Sequence, residues 1–146
     1  MKKILTVGVY DFFHLGHLNL FKQCKKYGDY LIVAVQESEA VLKYKPDTKL
    51  IYTTAQRVDL IQNLKIVDEV ITYIDVDTIV KNVEIDAFAV GEDQVHQGFC
   101  AAVEWCNSNG IEVYRLERTK GISSTDIKNR IVCDLNYCED KEHGCY

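Results

Sequence analysis

A single proline, Pro46, stands in the 146 residues, which leaves no room for a proline-rich linker between folded units. No apolar run approaches the roughly 20 residues that a membrane-spanning helix needs. The opening Met1-Lys2-Lys3-Ile4-Leu5-Thr6-Val7 does not read as a signal peptide, because Gly8 and Asp11 arrive too soon. Internal repeats and low-complexity segments are absent. A surplus of positive charge is also missing, since the formal net charge is −5. Proteins that bind phosphate backbones carry a basic face, so this balance argues against a broad nucleic-acid surface. A small anionic ligand is still allowed, because it needs only a few local cations.

What is present is the composition of a globular chain, 47% hydrophobic and 27% charged, which excludes a wholly disordered or collagen-like polymer. The length suits one domain with a sizeable core. Six cysteines are the unusual count. Cys24, Cys100 and Cys106 sit in apolar, helix-like contexts where a thiol packs as a small hydrophobe. Cys133, Cys138 and Cys145 gather near the C-terminus with His143 beside them. With no secretory signal the expected compartment is the reducing cytoplasm, which disfavours a disulfide framework. The cysteine spacing is looser than the C-x-x-C pairs of a zinc site. Residues 133–146 are therefore read as an exposed, partly disordered tail with incidental thiols, following a domain over residues 1–132.

Strand and helix patterns alternate from end to end. Short apolar runs without polar alternation, Ile4–Val9, Tyr30–Val35 and Ala87–Val90, fit strands covered on both faces. Glu69–Tyr73 and Ile111–Leu116 add two more strands. Helical periods fall over Leu18–Lys26, Thr53 or Thr54 to Leu64, Thr78–Val83 behind a possible Asp77 cap, Phe99–Asn107 and Thr125–Val132. The polar, lysine-rich stretch from Glu37 to Tyr52 reads as a loop. The expected fold is α/β: a doubly wound, Rossmann-like parallel sheet of about five strands with helices on both faces. In such sheets the ligand crevice lies beyond the C-terminal strand ends, where strand order reverses.

The segments that follow the strands carry the chemistry. After the first strand comes Gly8-Val9-Tyr10-Asp11-Phe12-Phe13-His14-Leu15-Gly16-His17. A helix starting between His14 and His17 would put both imidazoles on one face. Gly8 and Gly16 would let a ligand approach backbone, and a helix N-terminus favours phosphate. After the fifth strand, Arg118-Thr119-Lys120-Gly121-Ile122-Ser123-Ser124-Thr125 runs into a helix. One hydroxyl is enough for a cap; three, beside two cations and a glycine, offer an anion site. The P-loop pattern G-x-x-x-x-G-K-S/T is absent.

With these two segments in register, and with Gly28-Asp29-Tyr30-Leu31-Ile32-Val33-Ala34-Val35 and Val67-Asp68-Glu69-Val70 between them, the chain resembles the H-x-G-H nucleotidyltransferase superfamily. It is most similar to the small bacterial cytidylyltransferases of the glycerol-3-phosphate type, over about residues 1–132. The resemblance implies transfer of CMP from CTP to a small phosphorylated alcohol or polyol, with release of pyrophosphate and no covalent intermediate. It implies that His14 and His17 stabilise the α-phosphate, that magnesium bridges phosphate oxygens, and that Arg118, Ser123, Ser124 and Thr125 hold the outer phosphates. Gly8, Val9, Tyr10, Asp11, Gly16, Gly121 and Ile122 would complete the nucleotide site.

Lys43 and Lys45 match a family lysine pair that contacts transferring and acceptor phosphates. Arg57 matches an arginine near the nucleotide, and Asp93 a carboxylate near the cytosine. Asp11 would orient the turn, cap it or help hold the metal. A homodimer is also implied. The chain departs from the glycerol-phosphate pattern in three places: at Val9, at Lys65 in place of an arginine, and over Tyr73-Ile74-Asp75-Val76-Asp77, where that group has a tryptophan and a lysine. Lys65, Asp75 and Asp77 are the expected acceptor residues, and two aspartates would suit a cationic amine or several hydroxyls unless they cap the next helix. The alternatives are an adenylyltransferase of the same superfamily acting on a sugar phosphate or flavin mononucleotide, and a non-catalytic nucleotide-binding module.

Overall fold

The computed structural model describes residues 1–139, with side chains through residue 135. The element order is β1 (Lys3–Gly8), α1 (Leu15–Tyr27), β2 (Tyr30–Gln36), α2 (Ser38–Tyr44), α3 (Thr54–Gln62), β3 (Glu69–Tyr73), α4 (Val76–Asn82), β4 (Ala87–Gly91), α5 (Gln97–Ser108), β5 (Glu112–Leu116) and α6 (Ser124–Glu139). All five strands run parallel in the order β3-β2-β1-β4-β5. The order reverses between β1 and β4, so the crevice expected of a doubly wound sheet opens at their C-terminal ends.

Alternate residues of each strand feed opposite cores. On one face Leu5, Val7, Ile32, Ala34, Phe88 and Val90 pack with Val76 and Val80 of α4 and Phe99, Ala102 and Cys106 of α5. On the other, Ile4, Leu31, Val33, Val35, Ala87 and Ala89 meet Phe21 and Cys24 of α1 and Ile61 of α3. Burial on both sides explains the unbroken apolar runs of the central strands. It also pushes the thiols up, Cys24 to about 12 and Cys106 to about 11, so both stay protonated packing groups.

Several elements differ from the sequence reading. The expected loop after β2 contains α2, because Ala40 and Val41 turn inward and Lys43 lies in the last turn, where a cation suits the helix dipole. The helix after β3 starts at Val76, with Asp75 rather than Asp77 at the cap position and without a capping hydrogen bond. Cys100 is exposed on α5, its thiol donating to the Val95 carbonyl at 3.3 Å. The last helix does not stop at Val132 but continues through residues 133–139, so the cysteine segment begins as helix, with Cys133 exposed. Cys145 and His143 lie outside the described residues. No helix among the described residues is long and apolar enough to cross a membrane.

Candidate active site

The loop from Gly8 to His14 is tightly folded over the end of β1. Tyr10 and Phe12 adopt positive φ angles of 58° and 52°, a left-handed backbone that side chains rarely take and that the surroundings must hold. Gly8 is required by packing, since a Cβ there would lie 2.7 Å from the Tyr10 ring. The Tyr10 ring is buried and stands edge-on to His17 and to Phe21. Phe13 also stacks on His17, with 5.3 Å between ring centroids.

His14 is the N-cap of α1 and His17 its third residue, and the two cap each other. The Gly16 N–H donates to His14 Nδ1 at 3.0 Å, and the His14 N–H donates to His17 Nδ1 at 3.3 Å. The rings stack with centroids 3.8 Å apart. Accepting at Nδ1 leaves the proton of each neutral imidazole on Nε2. Burial lowers the His14 pKa, with the Arg118 charge adding to the effect; burial, then His14 and Arg118, lower His17 to about 3. Both rings are therefore neutral Nε2–H donors at physiological pH. The His14 Nε2 is screened from solvent and has no hydrogen-bond partner among the described residues. A buried donor without a partner is costly, and here it borders the crevice where an anion would supply one.

That crevice measures about 520 Å³ and is bounded by the β1–α1 loop, the segment after α2, the end of β4 and the start of α6. Gly8, Val9, Tyr10, Asp11, His14, Gly16 and His17 line one side. Lys45, Asp93, Arg118, Ile122, Ser123, Ser124 and Thr125 line the others. Arg118 Nη1 contacts Asp93 Oδ2 at 2.6 Å, so the expected phosphate ligand and the expected base ligand are paired with each other. The hydroxyl cluster divides its work. Ser123 Oγ accepts from the Asp126 N–H at 3.0 Å as a helix cap, whereas Ser124 Oγ donates to the Asp11 carbonyl at 2.5 Å. Gly121 sits at φ +79°, the left-handed turn that redirects the chain into α6.

Five expected contacts lie elsewhere. Arg57 is fully buried behind the crevice, its guanidinium bonded to the carbonyls of Val9 (2.9 Å) and Gln36 (2.6 Å) and to Ser38 Oγ (2.8 Å). It stitches the ends of β1 and β2 to α3. Lys65 is exposed just before β3; in a parallel sheet that is the pole opposite the crevice, so it does not share the site with His14. Lys43 leaves the lysine pair, lying over the Tyr44 ring at 5.5 Å, while Lys45 remains at the crevice. Asp75 accepts from the Tyr44 hydroxyl, and neither Asp75 nor Asp77 lines the crevice.

The sequence reading missed two residues. Gln94 joins the reversal point, its Oε1 accepting from the Gly91 N–H (2.8 Å) and its Nε2 donating to the Val7 carbonyl (3.2 Å). Lys128 reaches Asp11 Oδ2 at 2.7 Å. Asp11 also accepts from the Ile51 and Tyr52 N–H groups at 2.9 and 3.0 Å. Burial opposes its ionisation, but Lys128 and the two amides prevail, holding its pKa below the ordinary value.

The site has two neutral donors, one arginine and two lysines, Lys45 and the Asp11-paired Lys128, around an open volume at the sheet reversal. Such a set can neutralise charge that grows on a phosphoryl group. Known proteins point the same way. The cytidylyltransferase-like family matches residues 5–130. The chain is 34% identical over 131 residues to a glycerol-3-phosphate cytidylyltransferase of Bacillus spizizenii, covering 88% of this chain and 95% of that protein. It is 33% identical over 136 residues to an FAD synthase of Picrophilus torridus, covering 89% and 96%. Among solved structures, a lipopolysaccharide core biosynthesis protein from Thermoplasma volcanium superposes with a TM-score of 0.67 at 30% identity, covering 84% of this chain and 99% of that one.

Proposed function

The chain belongs to the cytidylyltransferase-like family, and from that premise we propose that it transfers CMP from CTP to a small phosphorylated alcohol or polyol. A phosphate oxygen of the acceptor attacks the α-phosphorus in line. The bond from that phosphorus to the bridging oxygen breaks, and pyrophosphate leaves with the electron pair. The observation that carries this reading is the stacked, mutually capped pair His14 and His17, both neutral Nε2–H donors beside Arg118. Donors already fixed toward the growing negative charge need no reorganisation in the transition state, and one such donor is typically worth about 10²–10³ in rate.

Arg118 would take the outer phosphates, which requires it to leave Asp93. Asp93, once released, could accept from the amino group of cytosine. Lys45, which lines the crevice, would meet the acceptor phosphate. Magnesium is proposed as a companion of the nucleotide: the described residues hold no cluster of three or more candidate ligands, and the Asp11 carboxylate is engaged by Lys128 and two amides. The triphosphate oxygens would hold most of its coordination, and the ion would offset charge on the leaving pyrophosphate. A cytoplasmic homodimer is the assembly we propose.

The acceptor is expected to differ from glycerol 3-phosphate. Where the glycerol-phosphate pattern has a tryptophan and a lysine after β3, this chain carries Asp75 and Asp77, and Asp75 is engaged by Tyr44 outside the crevice lining. Because the FAD synthase likeness also spans nearly the whole chain, adenylyl transfer is the second reading. The test is pyrophosphate release measured with CTP and ATP against a panel of phospho-alcohols, sugar phosphates and FMN. Turnover with CTP and a phospho-alcohol is expected. Turnover with ATP alone would transfer the assignment to the adenylyl reading, and binding without turnover would leave only a nucleotide-binding module.

A further inference from the structure

We propose that Lys128 is a positioning residue that holds the H-x-G-H loop in its reactive shape. This rests on the nucleotidyltransferase reading for its kinetic consequence, though not for its structural one. Lys128 and Ser124 are four residues apart on α6 and so share one helix face. Both act on Asp11: Ser124 Oγ on its carbonyl at 2.5 Å and Lys128 Nζ on its carboxylate at 2.7 Å. Lys128 Nζ also donates to the Lys49 carbonyl at 3.0 Å. One ammonium thereby ties together α6, the β1–α1 loop and the segment that brings Lys45 to the crevice.

Two further observations give this tie its purpose. Asp11 is only 4% exposed, and a carboxylate so buried requires compensation; Lys128 is its one ion-pair partner among the described residues. The residues on either side of Asp11, Tyr10 and Phe12, are the two non-glycine residues with left-handed backbone among the described residues. A loop strained at both flanks persists only when something fixed grips it between them. The grip lies three residues ahead of His14, so relaxing it displaces the imidazoles without touching them.

The test compares Lys128→Met and Lys128→Arg. With Met, kcat should fall about 10- to 100-fold while KM for the nucleotide stays within about threefold, the effect of misplaced rather than missing groups. Arg, which keeps the charge and the reach, should restore kcat to within about fivefold of the original. A Met variant that raises nucleotide KM about tenfold at unchanged kcat would overturn the proposal and make Lys128 a phosphate ligand.

Amide exchange at Ile51 and Tyr52 and the imidazole NMR signals of His14 and His17 provide a readout independent of turnover. If the original protein turned over no nucleotide, the functional reading would fail. Faster exchange and shifted imidazole signals in the Met variant, reversed by Arg, would still support the tie. Unchanged exchange and signals would refute it. If the Met variant does not fold, Ser124→Ala, which removes the hold on the Asp11 carbonyl, should give the same changes in exchange and imidazole signals in milder form, and unchanged exchange and signals there would refute the tie.

Discussion

Replacing Arg57 by methionine tests whether this residue is structural. Methionine keeps much of the apolar stem but removes the guanidinium, which makes three bonds of 2.9 Å or less to the Val9 and Gln36 carbonyls and Ser38 Oγ. Two longer bonds, to Thr54 Oγ1 at 3.3 Å and the Tyr52 carbonyl at 3.4 Å, contribute little at the edge of hydrogen-bonding range. The substitution strands two acceptors, the Val9 and Gln36 carbonyls, since Ser38 Oγ keeps its hydrogen bond to Thr54 Oγ1 at 3.0 Å. Each orphaned acceptor costs about 1–3 kcal/mol, and the low end applies because burying a cation also carried a desolvation penalty that the variant is spared. The expected loss is roughly 2 kcal/mol, a large share of the 5–15 kcal/mol of a typical domain. With a urea m-value near 2 kcal/mol/M, the unfolding midpoint should drop by about 1 M. At a temperature where the variant is folded, nucleotide KM should rise no more than about threefold, since Arg57 lies off the crevice. A midpoint within about 0.3 M of the original would refute the reasoning, because the cation would then be no better than an apolar filler. A tenfold rise in KM without loss of stability would return Arg57 to the nucleotide.

Other expectations can be checked with the same preparations. His14→Ala and His17→Ala should each lower turnover by about 10²–10³, measured as pyrophosphate release, and intact turnover in either would remove that histidine from the chemistry. His17 has a folded-state pKa of about 3 against an ordinary 6.5, so below pH 6.5 the unfolded chain takes up a proton the folded one does not, and stability falls with pH by up to about 1.4 kcal/mol per unit until pH 3 is approached. Urea midpoints between pH 6 and pH 4 should therefore drop less steeply in His17→Asn; equal slopes would contradict the burial effect. A Cβ at Gly16 would lie 2.8 Å from the His14 ring, so Gly16→Ala should cut turnover about 10- to 100-fold while changing stability by less than about 1.5 kcal/mol. Asp93→Asn frees Arg118 and should tighten calorimetric binding of tripolyphosphate about two- to fivefold at low salt; weaker binding would mean that the carboxylate does not compete with phosphate.

The legible parts of this chain were those with a local signature. The edge strand β3 matches its expected span, and the central strands β1, β2 and β4 lie within a residue of theirs, because apolar runs covered on both faces look alike in every parallel sheet. Placing His14 and His17 at the start of a helix needed only their spacing and the glycine between them. α2 escaped notice because only Ala40 and Val41 of its seven residues are buried, too few to show a period. Lys128 escaped because its partner is 117 residues away, and no pattern along a sequence encodes a meeting of that kind. Resemblance brought Arg57 into the right neighbourhood but could not say which way its guanidinium pointed. For Lys65 it supplied a role, where the parallel direction of β3 supplies the opposite location.

The reversal of strand order has a consequence for assembly over time. β1 meets β2 through six paired positions but β4 through only three, so the join beneath the crevice is the lighter of the two. Everything through β3 carries the histidines, and everything from β4 onward carries Arg118, the hydroxyl cluster and Lys128. Neither half possesses a working pocket, and a ribosome must have released nearly the whole polypeptide before one exists. A chain cut between Tyr73 and Ala87 would yield two inactive fragments whose recombination could be followed by turnover itself. In the intact protein, a triphosphate bridging the same join would act as a splint across it.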